Sequence, residues 1–132
     1  MLSFLIRSPN KGATESYQVE SFIQASLQYT SNCSNEIEFL SVQNLIIACE
    51  GEEKCLDGKN TCDILNSTIR GLINSGWSVG NQSVVKGYTF MISTEGKNQT
   101  IKKGNQTSNS KGGFQDFSRS GRNYEVSLEI YN

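Results

Sequence analysis

The side chains best suited to chemistry in this chain are its four cysteines, because it contains no histidine. Histidine is the commonest general base and metal ligand, and it is the usual partner of a serine or cysteine nucleophile. The carboxylates form no recognisable pair for acid–base catalysis. We therefore expect no catalytic residue, no cofactor and no metal, and a chain that is not an enzyme.

The cysteines lie within 30 consecutive residues, at Cys33, Cys49, Cys55 and Cys62. Three interpretations are open: disulfides, a zinc site and unpaired buried thiols. Zinc sites usually have knuckles with about two to four residues between their cysteines. The intervals here are fifteen, five and six residues, so we favour two disulfides. Three pairings are possible, and we prefer Cys55–Cys62 with Cys33–Cys49. Disulfides require an oxidising compartment, so we expect an extracellular or cell-surface location.

The acceptor pattern for N-linked glycans, Asn-x-Ser/Thr, occurs five times. Chance alone would produce about half that number in a chain so rich in Asn, Ser and Thr. The three Asn-Gln-Ser/Thr copies lie in predicted loops, whereas Asn66 lies inside a predicted helix and is the poorest candidate. The glycosylation candidates are Asn32, Asn66, Asn81, Asn98 and Asn105.

Charge and aromatic residues bear on the partners of the chain. Its 132 residues carry a net charge of -1 with scattered positive side chains, so we expect no nucleic acid partner. Phe114 and Phe117 lie beside a Gly- and Asn-rich stretch and form our candidate contact patch. The expected partners are other surface-protein subunits or a cell-surface ligand.

The chain contains no apolar run of the roughly 20 residues that a membrane-spanning helix needs. The apolar residues 1–6 are too few for a complete signal peptide. They are either the remnant of a removed membrane anchor or a first strand. Any attachment to a membrane is expected through an anchor that this chain does not contain. Residues 1–14 are predicted to be an N-terminal segment and linker.

The hydrophobic pattern predicts helices first and strands afterwards. Three helices are expected between residues 15 and 77, the first with an apolar stripe from Val19 to Leu27. The second helix is predicted to begin at the N-cap Ser41 and to end at Gly51. The third is predicted to begin at Asn60 or Thr61 and to end at Gly76.

After Trp77 the apolar period changes to two, which is typical of strands. Strands are predicted at residues 88–93 and 124–130, weaker ones at 99–103 and 114–119, and a mobile loop at 104–113. This order indicates an α+β fold with N-terminal helices packed on a C-terminal antiparallel β-sheet, stapled by disulfides. We expect one domain over residues 15–132, helical over about 15–77 and stranded over about 84–132.

Five short segments carry a resemblance to a known family. They are Ser21-Phe-Ile-Gln-Ala-Ser-Leu27, Leu45-Ile-Ile-Ala-Cys49, Cys55-Leu-Asp-Gly, Cys62-Asp-Ile-Leu-Asn66 and Tyr124-Glu-Val-Ser-Leu-Glu-Ile-Tyr131. They resemble soluble domains of archaeal pilin-like (type IV pilin-related) cell-surface proteins. In such proteins an N-terminal hydrophobic helix anchors or assembles the chain, and a helix-plus-sheet domain faces outward. This chain lacks that long hydrophobic helix.

The resemblance implies a non-enzymatic structural domain of a cell-surface or secreted protein, namely a pilin-like surface component. The alternative is a secreted binding or adhesion module that uses exposed aromatic residues or Asn/Gly-rich loops.

Overall fold

The computed structural model describes residues 13–77, 79–80, 84–119 and 121–132 and has an α+β fold, as the sequence predicts. The helices of this part of the chain are α1 (Tyr17–Leu27), α2 (Val42–Glu50) and α3 (Thr61–Gly76). Its strands are β1 (Ala13–Glu15), β2 (Thr30–Ser34), β3 (Phe39–Ser41), β4 (Gly87–Thr94), β5 (Lys97–Gly104), β6 (Ser110–Arg119) and β7 (Arg122–Tyr131).

The chain forms two compact units. The sheet unit comprises the described residues within 1–23 and 78–132, and the cysteine unit comprises Gln24–Trp77. The predicted linker ends at residue 14, but strand β1 already begins at Ala13. Residues 1–6, for which we weighed an anchor remnant against a first strand, lie outside the described residues. Among the described helices none is long and apolar enough to cross a membrane.

The sheet unit is built on a five-stranded sheet in the order β1-β6-β7-β4-β5. Neighbouring strands are antiparallel except β1, which pairs parallel to β6. All four predicted strands are present, and each is longer than its apolar pattern indicated. The extra residues are held by the ladder of backbone hydrogen bonds, which does not depend on side-chain type.

The inner face of this sheet carries the core. Tyr124, Val126, Leu128 and Ile130 of β7 are buried, and the residues between them are half-buried. Phe90 of β4 is the direct cross-strand partner of Leu128. Side chains alternate along a strand, so one face of each strand joins the core and the other forms an outer face.

Helix α1 approaches strand β6 on this inner face. The Gln115 side-chain amide donates to the backbone carbonyl of Glu20 over 3.3 Å, and the Ser16 amide donates to the carbonyl of Gly112 over 2.8 Å. The predicted loop at residues 104–113 is wrong at its end, because β6 begins at Ser110. The two consecutive glycines of that stretch are strand residues, and α1 lies closely over the second of them, Gly113.

The cysteine unit contains α2, α3 and the small hairpin of β2 and β3. Ser41 caps α2 by accepting the Asn44 amide, and Asn60 caps α3 by accepting the Cys62 amide at 2.7 Å. Both caps were predicted, because short oxygen-bearing side chains satisfy the free amides of a first helical turn. The hairpin was not predicted, since its strands are short and mostly polar and show no apolar alternation.

Candidate functional site

The four cysteines form two disulfides, Cys33–Cys55 and Cys49–Cys62, with Cα–Cα distances of 5.2 and 4.7 Å. The predicted use of all four cysteines in disulfides is therefore confirmed. The preferred pairing of Cys55 with Cys62 and of Cys33 with Cys49 is wrong. The two bonds instead interleave along the chain, with sequence separations of 22 and 13 residues.

Backbone hydrogen bonds explain the interleaved pairing. The turn after Cys55 is closed by the Cys55 amide donating to the Lys59 carbonyl at 2.7 Å, so no side-chain bond is needed there. The next amide, of Leu56, donates to the Ser34 carbonyl at 2.8 Å, which places Cys55 beside Cys33. Cys49 and Cys62 then meet at the junction of α2 and α3.

The most exposed apolar group of the cysteine unit surrounds the end of the β2–β3 hairpin. Ile37, Phe39 and Leu56 are 88%, 59% and 65% exposed. Phe39 is the cross-strand partner of Ser34, and the Ser34 carbonyl accepts the Leu56 amide. The three residues thus extend from segments that backbone bonds hold together. We call Ile37, Phe39 and Leu56 the apolar tip.

Hydrogen bonds and a disulfide restrain the backbone that carries the apolar tip. The Asn35 side-chain oxygen accepts the amides of Ile37 and Glu38, each at 2.8 Å, and the Asn35 amide donates to the Glu38 carbonyl at 2.9 Å. The Cys33–Cys55 disulfide ties the hairpin to the loop that carries Leu56. A preorganised apolar surface loses little entropy on binding, which is typical of protein contact sites.

The chemical character of the tip is apolar with acidic flanks. Glu36 and Glu38 are exposed on either side of Ile37. Exposed apolar side chains flanked by carboxylates are suited to contact with a partner. The sequence signal that could have revealed it is the apolar Ile37 and Phe39 in the polar, turn-forming stretch that begins at Asn35.

The predicted contact patch of Phe114 and Phe117 is not a single surface. Both lie in β6, where Phe114 pairs with Ser127 and Phe117 pairs with Tyr124. Their positions differ by three, an odd number, so their side chains leave opposite faces of the strand. Phe117 stacks on Tyr124 with ring centroids 4.9 Å apart and is held on the inner face.

The glycosylation candidates differ in their settings. Asn32, Asn98 and Asn105 are exposed, whereas Asn66 is half-buried in α3 and accepts a 2.7 Å hydrogen bond from the Arg70 guanidinium. Asn98 lies in strand β5 rather than in the predicted loop. Asn81 lies outside the described residues.

A cleft of about 460 Å³ opens at the turn end of the sheet. Its lining includes the carboxylates of Glu95, Asp116 and Glu125, of which the last two are direct cross-strand partners. Among the described residues no three His, Cys, Asp or Glu side chains are grouped to hold a metal ion. The cleft therefore offers polar contacts without a metal-binding arrangement.

A second cleft, of about 360 Å³, lies in the cysteine unit between Tyr29 and Asn32 on one side and α3 on the other. Its lining carries hydroxyl, amide and apolar groups and no charged side chain. Neither cleft brings together residues that the sequence predicted to act jointly.

Comparison with known proteins identifies no relative of this chain, so its function must be inferred from the geometry described above. No protein-family model, no curated protein and no solved structure matches the chain.

Proposed function

We propose that this chain is a non-enzymatic structural domain of a cell-surface or secreted protein, and specifically a pilin-like surface component. The observation that carries the proposal is the use of all four cysteines in two disulfides. Structural disulfides persist in oxidising compartments and are rare in the cytosol. The absence of histidine from the chain supports the non-enzymatic part of the proposal.

The two disulfides have a physical role in such a domain. They lie in the cysteine unit, and each is expected to contribute about 2–4 kcal/mol by restricting the unfolded chain. Only 36% of the residues are hydrophobic, so the apolar core of this chain is modest. Covalent crosslinks would stabilise such a polar domain outside the cell.

We propose further that the domain is a glycoprotein and that Asn98 carries the glycan. Asn98 and Thr100 lie two apart in a strand, so the acceptor amide and the required hydroxyl share one exposed face. At Asn105 the corresponding hydroxyl, of Thr107, is engaged with the Asn109 and Asn132 carbonyls at 2.8 Å. In α3 the helical geometry turns Asn66 and Thr68 to different sides of the helix.

A secreted binding or adhesion module is the second candidate, and the apolar tip is the observation that favours it. Exposed large apolar side chains on a rigid, disulfide-tied hairpin are typical of contact surfaces. This candidate uses Ile37, Phe39 and Leu56 in place of the Phe114–Phe117 patch of the sequence analysis.

Mass spectrometry of the unreduced protein tests the proposal. Trypsin and a glutamate-specific protease together cleave between all four cysteines, because Glu36, Glu50, Lys54 and Lys59 lie between them. We expect crosslinked peptides that join Cys33 to Cys55 and Cys49 to Cys62. The same digest of protein from a glycosylating, secreting host should show a glycan on the Asn98 peptide, with the Asn66 peptide unmodified as the control.

Two results would contradict this reasoning separately. Complete alkylation of the cysteines without a reductant, or one zinc ion per chain, would remove the extracytoplasmic assignment. An unmodified Asn98 peptide beside a modified Asn66 peptide would refute the argument from strand geometry and leave the disulfide argument intact.

A further inference from the structure

The charges of the chain are distributed unevenly between its two units. Residues 24–77 contain seven acidic and three basic side chains, so their net charge is -4. Residues 1–23 and 78–132 contain six acidic and nine basic side chains, a net charge of +3. The overall charge of -1 conceals this asymmetry. Two copies of such a chain attract each other most strongly when the acidic unit of one meets the basic unit of the other.

The sheet unit has a surface whose character complements the acidic-flanked apolar tip. Val84 is 80% exposed, and Lys86, two residues later, lies directly before β4. The Lys86 carbonyl accepts the Asn105 amide at 2.8 Å, which places this segment beside the end of β5. Lys103 is exposed at that end of the strand and is the cross-strand partner of Tyr88, two residues after Lys86, so the two lysines share a face that Lys102 does not. We call Val84, Lys86 and Lys103 the basic corner.

We propose that the apolar tip of one copy docks on the basic corner of a second copy, so that the chains associate head to tail. The apolar side chains of the tip cover Val84, and Glu36 and Glu38 lie opposite the lysines. This inference rests on the proposed structural role and names the partner that this role requires. Because tip and corner are different surfaces, the contact is heterologous, and each added copy leaves one tip and one corner open.

Symmetric alternatives are disfavoured by the same charges. A tip-to-tip dimer would place Glu36 and Glu38 of one copy against the same residues of the other. An antiparallel pairing of two β5 edges about Thr100 would bring Lys97 opposite Lys103. Like charges across an interface oppose association, whereas opposite charges steer it.

The test uses two variants that each remove one half of the contact. Ile37→Ser with Phe39→Ser disables the tip and keeps the corner, and Val84→Ser with Lys103→Glu disables the corner and keeps the tip. Tyr17→Ser is the matched control, because Tyr17 is an 85% exposed apolar residue of the sheet unit outside both surfaces. All proteins are produced in a host that forms disulfides without glycosylation, and sedimentation velocity measures their association over a range of concentrations.

We expect the wild type and Tyr17→Ser to grow beyond dimers as concentration rises, and salt of about 0.5 M to weaken the association by screening. Each disabled variant alone should stay monomeric, with affinity lowered about 100-fold or more. An equimolar mixture of the two should form a 1:1 heterodimer that does not grow, because one intact tip meets one intact corner.

Other outcomes overturn the proposal. If the corner variant alone still forms dimers, the contact is tip-to-tip. If the wild type stays monomeric at all concentrations, or the mixture forms no heterodimer, the head-to-tail contact does not exist. Should a double variant lose its cooperative melt, the single changes Phe39→Ser and Lys103→Glu replace it. The disulfide map of the same samples tests the proposed function independently, so a monomeric, fully disulfide-bonded chain refutes only the self-association.

Discussion

The close approach of helix α1 to strand β6 depends on the absence of a side chain at Gly113. A Cβ atom added there would lie 2.5 Å from Glu20 Cγ, 3.0 Å from the Glu20 backbone nitrogen and 3.3 Å from its Cα. The side chain could turn away, but the helix backbone could move only as a whole. Gly113→Ala must therefore push α1 off the sheet or strain the strand.

The magnitude follows from two opposing effects. Overpacking against a backbone costs about 1–3 kcal/mol. Replacing glycine restricts the unfolded chain, which returns about 0.4–1 kcal/mol. We expect Gly113→Ala to lower the free energy of unfolding by about 1–2 kcal/mol, or the melting temperature by roughly 5 °C.

Gly71→Ala is the matched control, since Gly71 lies in α3 and an added Cβ there meets no atom within 4 Å. The same substitution should stabilise this helix by about 0.5–1 kcal/mol. Both variants are compared with the wild type by thermal and urea unfolding. If Gly113→Ala is as stable as the wild type while Gly71→Ala gains stability, α1 does not lie on β6 as described.

Two further predictions concern strand β7. Leu128→Ala should cost about 2–5 kcal/mol of unfolding free energy, because Leu128 is fully buried. Glu129→Ala should cost only about 1 kcal/mol, because it removes the hydrogen bond that Ser110 donates at 2.6 Å. Equal losses in urea melts would contradict the inner and outer faces assigned here. Burial raises the pKa of Tyr131 above its ordinary value of 10.0, with the negative charge of Glu129 adding to the rise and the Thr89 hydroxyl opposing it. The stability that Tyr131 contributes is then complete below about pH 10 and is lost as the pH rises through the folded-state pKa. Between about pH 9 and pH 11 the free energy of unfolding should therefore fall less for Tyr131→Phe than for the wild type. An identical loss in both proteins would show that Tyr131 ionises as freely in the folded chain as in the unfolded one.

Local pattern was sufficient for most of the secondary structure. The apolar stripe from Val19 to Leu27 and the alternation after Tyr124 identify an element from neighbours a few residues apart, and such periods follow from helix and strand geometry. The caps at Ser41 and Asn60 are equally local, because the side chain bonds an amide within three residues. The absence of histidine, together with the cysteine spacing, indicated disulfides rather than zinc.

Long-range contacts decided the features that the sequence left open or that we predicted wrongly. Gly113 appears in a loop-like glycine pair, and only the packing of α1 above it explains a glycine within a strand. Phe114 and Phe117 are close in sequence, yet the register of β6 against β7 sends them to opposite faces. The apolar tip combines Ile37 and Phe39 with Leu56 through a backbone bond from Leu56 to Ser34.

The cysteines show this division most clearly. Composition and spacing favoured disulfides over a zinc site or unpaired thiols, because the intervals between the cysteines do not match zinc knuckles. The pairing depended on the turn that begins at Cys55. The backbone hydrogen bond from the Cys55 amide to the Lys59 carbonyl closes this short loop without a disulfide. The Cys55 sulfur therefore bonds to Cys33, 22 residues earlier. Sequence separation favours the shortest loop, but only the tertiary structure decides which sulfur atoms lie within bonding distance.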